Sequence, residues 1–255
     1  MNGCLISAVG RTVVVLALLG LPGVSAAQQG RGRQGGAALT PRAAAPVDLS
    51  GLWVSVVTED WRWRMRTPPK GDYASVPMTP AAVKVADAWD PERDTAAGEQ
   101  CRAYGAAAIM RVPGRIRISW DDDTTMKVEA EAGAQTRLFR FSQSPAPGAP
   151  TWQGTSVASW QPAGRGSAAK GGSLRVVTTS MRAGYLRKNG VPYSASATMT
   201  EYWDLIVEPS GERRILMLLV VDDPMYLQQP WTVPVHFKKE ADGSKWDPTP
   251  CNAKF

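Results

Sequence analysis

The chain has a single histidine, His236, among 255 residues. One imidazole excludes a histidine-rich metal centre and the paired-histidine zinc motif, so no metal is expected. Gly-x-Ser-x-Gly, a Walker loop, and a Gly-x-Gly-x-x-Gly placed after a strand are also missing, so the common hydrolase, nucleotide and dinucleotide chemistries have no support and no cofactor is implied. Long apolar runs are scarce. The longest, Thr12–Leu21, is shorter than the roughly 20 residues that a membrane-spanning helix needs, so no span is expected. Net charge is low where it would matter. Of the formal +6, Arg11, Arg31, Arg33 and Arg42 carry four charges ahead of the folded part, which leaves about +2 there and no basic stripe for nucleic acid.

That short apolar run follows a weakly charged lead ending at Arg11 and precedes the small residues Val24-Ser25-Ala26-Ala27. Residues 1–26 thus read as a signal peptide cleaved near Ala26 or Ala27, and the mature protein is expected to be periplasmic or secreted. Cleavage removes Cys4 and leaves Cys101 and Cys251, an even pair in a compartment where disulfides persist. The expectation is a bridge between them; the alternative is a reactive thiol with a base beside it. Residues 27–47, rich in Gly, Gln, Ala and Pro, read as a flexible low-complexity linker.

From residue 48 to 255 a single mainly β domain is expected. Nine runs alternate or are rich in β-branched residues: Gly51–Thr58, Arg115–Trp120, Thr124–Ala130, Gln135–Phe141, Gln153–Gln161, Ser173–Met181, Thr198–Glu208, Arg213–Val221 and Trp231–Lys239. Short links between them predict an antiparallel meander that hides its edges by closing into a barrel of about 8–10 strands. Residues 61–113 break the pattern. Thr79-Pro80 and Asp90-Pro91 each place a capping residue before a proline at the first helical position, which predicts helices over Pro80–Trp89 and Pro91–Ala97 and a further turn around Glu99–Ala107. This insertion either lids one end of the barrel or packs on its outside.

Alternation along Thr198–Glu208 puts Glu201 on one face with Met199, Trp203, Leu205 and Val207, and Tyr202 on the other. Glu201 is then the lone charge on an apolar face. Inside a cavity it would suit proton transfer or the anchoring of a polar group; alternatively it pairs with an arginine such as Arg175. His236 points away from the apolar face of its strand, and joins Glu201 as an acid/base pair only if the two converge. Asp222-Asp223-Pro224 ends the most apolar strand, either as rim carboxylates or as a turn. Asp121-Asp122-Asp123 lacks the spacing of a calcium loop and reads as a hairpin tip. The basic connection Arg182–Tyr193 turns at Asn189-Gly190, and it carries Tyr185, Tyr193 and three cations, Arg182, Arg187 and Lys188, able to meet an anionic group.

Asp48-Leu-Ser-Gly-Leu-Trp53 resembles the Gly-x-Trp opening of lipocalins and the wider calycin superfamily, and Thr200-Glu201-Tyr202 is similar to the Thr-Asp-Tyr element of that group. Trp152–Trp160, Gly172–Thr179, Asn189–Ser194 and Asp222–Trp231 resemble segments of a large, uncharacterised group of exported bacterial proteins. The resemblance implies a calycin-like barrel in which Trp53 closes the base, and an envelope location. The leading functional expectation is a binder of a small, largely apolar ligand, with Trp53 and Trp203 as wall or floor, Glu201 as anchor, and Tyr185, Arg187, Tyr193, Tyr202, Asp222 and Asp223 as further contacts. A cofactor-free isomerase, lyase or hydrolase using Glu201 or His236, and a structural envelope module, remain the alternatives.

Overall fold

The computed structural model describes residues 38–141, 148–164 and 171–254. The expected signal peptide, and the linker up to residue 37, lie outside the described residues.

Nine strands close into a barrel: β1 (Gly51–Val56), β2 (Arg115–Trp120), β3 (Thr125–Ala130), β4 (Gln135–Arg140), β5 (Thr155–Pro162), β6 (Gly172–Thr179), β7 (Thr198–Val207), β8 (Arg213–Asp222) and β9 (Trp231–Lys239). Each pairs with its neighbour in sequence, and β9 returns to β1 with Trp53 opposite Lys239. All neighbours are antiparallel except β4 and β5, which run parallel with Phe139 opposite Ser156. The expectation of a wholly antiparallel barrel is therefore corrected to a mixed one. Parity supplies the reason: around a closed ring the reversals must be even in number, so nine strands require at least one parallel junction. The chain leaves β4 at the end of the barrel marked by Phe141 and re-enters at the opposite end, where Gln153 Nε2 donates to Gln135 Oε1 at 3.0 Å.

Alternation sorts the side chains. In β7 the buried positions are Met199, Glu201 and Trp203; in β8 they are Ile215, Met217, Leu219 and Val221; in β9 they are Trp231, Val233, Val235 and Phe237. These residues share one continuous core with Trp53, Ile116, Ile118, Met126, Val128, Phe139, Leu174 and Val176. Phe139 and Trp203 meet edge to face at 5.6 Å. Trp53 is fully buried, donates to Leu49 O at 2.9 Å and lies under the Lys239 ammonium at 4.5 Å, so it closes the end of the barrel where β1 begins. We call this end the base. Trp120, Phe141 and Trp160 cluster beside it, with centroids 5.2–6.5 Å apart.

Two residues of the linker within the described part touch the barrel. Trp160 Nε1 donates to Pro41 O at 2.8 Å, and Arg42 N donates to Asp123 O at 3.1 Å. An indole N–H at the barrel surface needs an acceptor, and the turn at residues 41–44 offers the Pro41 carbonyl.

The insertion forms α1 (Trp61–Arg64), α2 (Pro80–Asp87), α3 (Pro91–Ala96), a 3₁₀ turn (Arg102–Tyr104) and α4 (Ala106–Ile109). Thr79 Oγ1 accepts from Ala82 N, and Asp90 Oδ1 accepts from Glu92 N and Arg93 N, so both expected caps form. Ala82, Ala86, Ala106, Ala107, Ile109 and Met110 belong to the same core as the barrel. Its hydrogen bonds reach the connections at one end: Trp231 Nε1 to Ser75 O, Thr79 N to Tyr226 O, and Ala106 N to Trp152 O. The insertion is a plug over the end opposite Trp53. Cys101 in the plug is bridged to Cys251, with Cα atoms 5.1 Å apart, so the C-terminal segment straps the plug down. Among the described residues no helix is long and apolar enough to cross a membrane.

Candidate functional site

Glu201 is inside the barrel and fully buried, as alternation requires. Its two oxygens accept from both terminal nitrogens of Arg137, at 2.8 and 2.7 Å. Arg137 also donates to Thr178 Oγ1 at 3.1 Å, and Thr178 meets Ser156 Oγ at 2.8 Å. The partner is not Arg175, which faces outward opposite Tyr202. A bidentate pair of this kind uses both carboxylate oxygens, so Glu201 acts as a cross-brace between β4 and β7. His236 lies on the outer face of β9, with Nδ1 3.3 Å from Thr58 Oγ1 and 3.5 Å from Glu59 Oε2. The barrel wall separates Glu201 from His236, and they form no acid/base pair.

The other candidates divide by location. Trp53 is at the base, Trp203 is within the packed interior, and Tyr202 is on the outer wall. Asp222 is exposed at the end of β8. Asp223 is buried and accepts from Ser194 N at 2.6 Å, Ser194 Oγ at 2.7 Å and Met225 N at 3.0 Å, which makes it the anchor of two connections. Asp121–Asp123 form the hairpin tip, where Asp122 Oδ1 accepts from Thr124 N and Oγ1. Tyr185, Arg187 and Tyr193 are brought together with the plug.

Two adjoining clefts lie there. One, of ≈ 390 Å³, is walled by Trp89, Tyr185, Tyr193 and Tyr226, with Lys84 and Arg93 among its lining. The second, of ≈ 630 Å³, is polar and includes Asp94, Glu99 and Arg182. They share Arg93, Arg102 and Ala183. Residues 184–185 and 192–193 form a small hairpin that carries the tyrosines, closed by Leu186 N donating to Val191 O at 2.7 Å. At its tip Gly190 has φ +83°, and a Cβ there would collide with the Trp89 indole, so the glycine both makes the turn and seats the ring. Tyr185 donates to Asp94 Oδ2 at 2.8 Å, and burial together with that carboxylate pushes its pKa up to about 12. Burial raises Tyr193 as well. Both tyrosines stay neutral donors. Arg102 bonds Asp94 Oδ1 at 2.8 Å and stacks 5.3 Å from the Tyr185 ring, which fixes the shared edge of the two clefts.

Compared with family models, curated proteins and solved structures, the chain matches none. Trp89, Arg93, Arg102, Asp94 and Arg137 were not among the residues expected from sequence. For Arg137 a signal exists: it alternates in register with Phe139, which puts it on the buried face. For the plug residues there is none, because short helices of mixed composition carry no pattern that marks a cleft.

Proposed function

We propose that the protein is an exported, lipocalin-like binder of a small ligand, held in the aromatic recess at the plugged end and not in the barrel interior. The observation that carries this reading is the ≈ 390 Å³ cleft walled by four aromatic side chains beside Arg93 and Arg102. Small-molecule sites have this size and this mixture of a mostly apolar wall with few polar groups. A flat apolar body would lie against Trp89 and Tyr226, and a polar substituent would reach the cations at the shared edge. The interior offers less, since Arg137 and Glu201 are paired with each other there and Trp203 and Phe139 pack beside them. The bridged cysteines fit an oxidising compartment.

Titration with 8-anilinonaphthalene-1-sulfonate, an aromatic probe with one anionic group, tests the reading by fluorescence. One saturable site is expected, weakened at least tenfold by Trp89→Ala and unchanged by Trp61→Ala, whose ring is 65% exposed and lines neither cleft. Binding that is unsaturable, or equal in wild type and Trp89→Ala, rejects it.

A further inference from the structure

Between the plug and the basic hairpin a second constellation stands apart from the aromatic recess. Arg64, Arg111 and Arg187 come from α1, from the segment after α4 and from the basic hairpin, and their relative exposures are 6%, 5% and 3%. Buried guanidiniums need compensation, because an unpaired charge out of water costs several kcal/mol even after relaxation. The compensation here is incomplete. Arg64 pairs with Glu59, and Arg111 Nη2 donates to Asp60 Oδ2 at 3.0 Å. Among the described residues Arg187 pairs with no carboxylate: its terminal nitrogens donate to Ala74 O at 2.7 Å and Ser75 Oγ at 2.8 Å. Asp72, the next acid in reach, is held by Arg62 at 2.6 Å and by Trp63 Nε1 at 3.1 Å.

Each of the three guanidiniums keeps one buried nitrogen without a hydrogen-bond partner among the described residues: Nη2 of Arg64, Nη1 of Arg111 and Nε of Arg187. All three residues line one cavity of ≈ 20 Å³, together with Trp63, Ala103, Ala108, Val112, Leu186 and Lys188. Arg187 lies over the Trp63 ring at 4.8 Å and Arg111 over the Trp231 ring at 4.8 Å, so the side chains are held in place by aromatic faces. We propose that Arg64, Arg111 and Arg187 form a buried anion site that takes one oxyanion head, a carboxylate, phosphate or sulfate group.

Chemistry selects that ligand. A water requires about 10–15 Å³ of such space, so the cavity has the volume of one or two waters, excludes a whole organic molecule, and takes an oxyanion head only as its side chains draw apart. Water has two lone pairs and no net charge, whereas three donors on three cations call for several acceptor lone pairs carrying negative charge. Guanidinium nitrogens donate short, charge-assisted bonds to oxyanion oxygens. The electrostatics of the cluster agree. Burial, with Arg111 as a repelling neighbour, holds Arg64 and Arg187 down to about 10, and burial brings Lys188 to about 8. A bound anion would relieve this. The site uses none of the aromatic walls of the recess and does not rest on that reading.

Isothermal titration calorimetry with sodium phosphate, sulfate and acetate, ionic strength balanced with chloride, is the test. Saturable binding of about one equivalent by at least one of the three is expected, with Kd raised at least tenfold in Arg187→Met and changed less than twofold in Arg213→Met, at the base of the barrel. Arg64→Met carries the same expectation if Arg187→Met fails to fold. Preference for phosphate and sulfate identifies a tetrahedral inorganic head, and preference for acetate a carboxylate; both support the site. No saturable heat with any of the three, or equal affinity in wild type and Arg187→Met, overturns it.

Discussion

At the scale of single residues, the physics of the interior is concentrated in Arg137 and Glu201. With side-chain exposures of 1% and 0%, neither charge has water to fall back on. Removing one partner strands the other, and such losses run to about 3–5 kcal/mol, whereas replacing both by apolar groups of similar volume is often neutral. Glu201→Gln is therefore expected to lose about 3–5 kcal/mol in urea denaturation, and the double variant Arg137→Met/Glu201→Leu to recover most of it. Equal stability of Glu201→Gln and wild type would show that the brace is not structural. Sequence alternation placed Glu201 on the buried face, and the same rule rejects Arg175, which alternates with the buried Leu174 and Val176. What alternation cannot supply is distance across a barrel, since Arg137 and Glu201 belong to strands that are not neighbours.

At the scale of elements, the two proline-initiated helices were legible because capping is local: the donor, the acceptor and the proline lie within four residues. The hairpin at 184–193 was legible as a turn and not as an environment. Three cations in a loop ordinarily point to solvent, yet Arg187 is buried because residues 74–75 and the rings of Trp63 and Trp231 come to it from elsewhere in the chain. Gly190 is where turn and environment meet. Gly190→Ala would force a Cβ into a left-handed backbone and into Trp89, so a loss of about 1–3 kcal/mol is expected in thermal denaturation, with a parallel weakening of the anilinonaphthalene probe as the ring is displaced. An unchanged midpoint and unchanged probe affinity would mean that the hairpin does not seat Trp89.

At the scale of the whole molecule, all nine barrel strands were readable from alternation, but their directions were not drawn from their number. Nine is odd, and that alone excludes a wholly antiparallel closure. Which junction is parallel depends on the path between β4 and β5, where no alternating pattern guides the reading. The position of the insertion was open for a similar reason, because a plug and an outer layer bury the same alanines. The bridge from Cys101 to Cys251 spans 150 residues of sequence. Loop closure of that length constrains the unfolded chain by up to ~5 kcal/mol in the chain-entropy model. Cys251→Ser, or wild type under strong reductant, is expected to lose about 2–5 kcal/mol in urea midpoint analysis. A midpoint insensitive to reductant would show that the strap adds nothing.

The antiparallel seam between β1 and β9 also sets an order of events in time. Trp53 finds its neighbour Lys239 only after every other barrel strand has been made, so the ring cannot close before β9 is complete. Contacts this distant in sequence slow folding. Until the seam forms, β1 and β9 each present a free edge, and closure is the step that removes both at once.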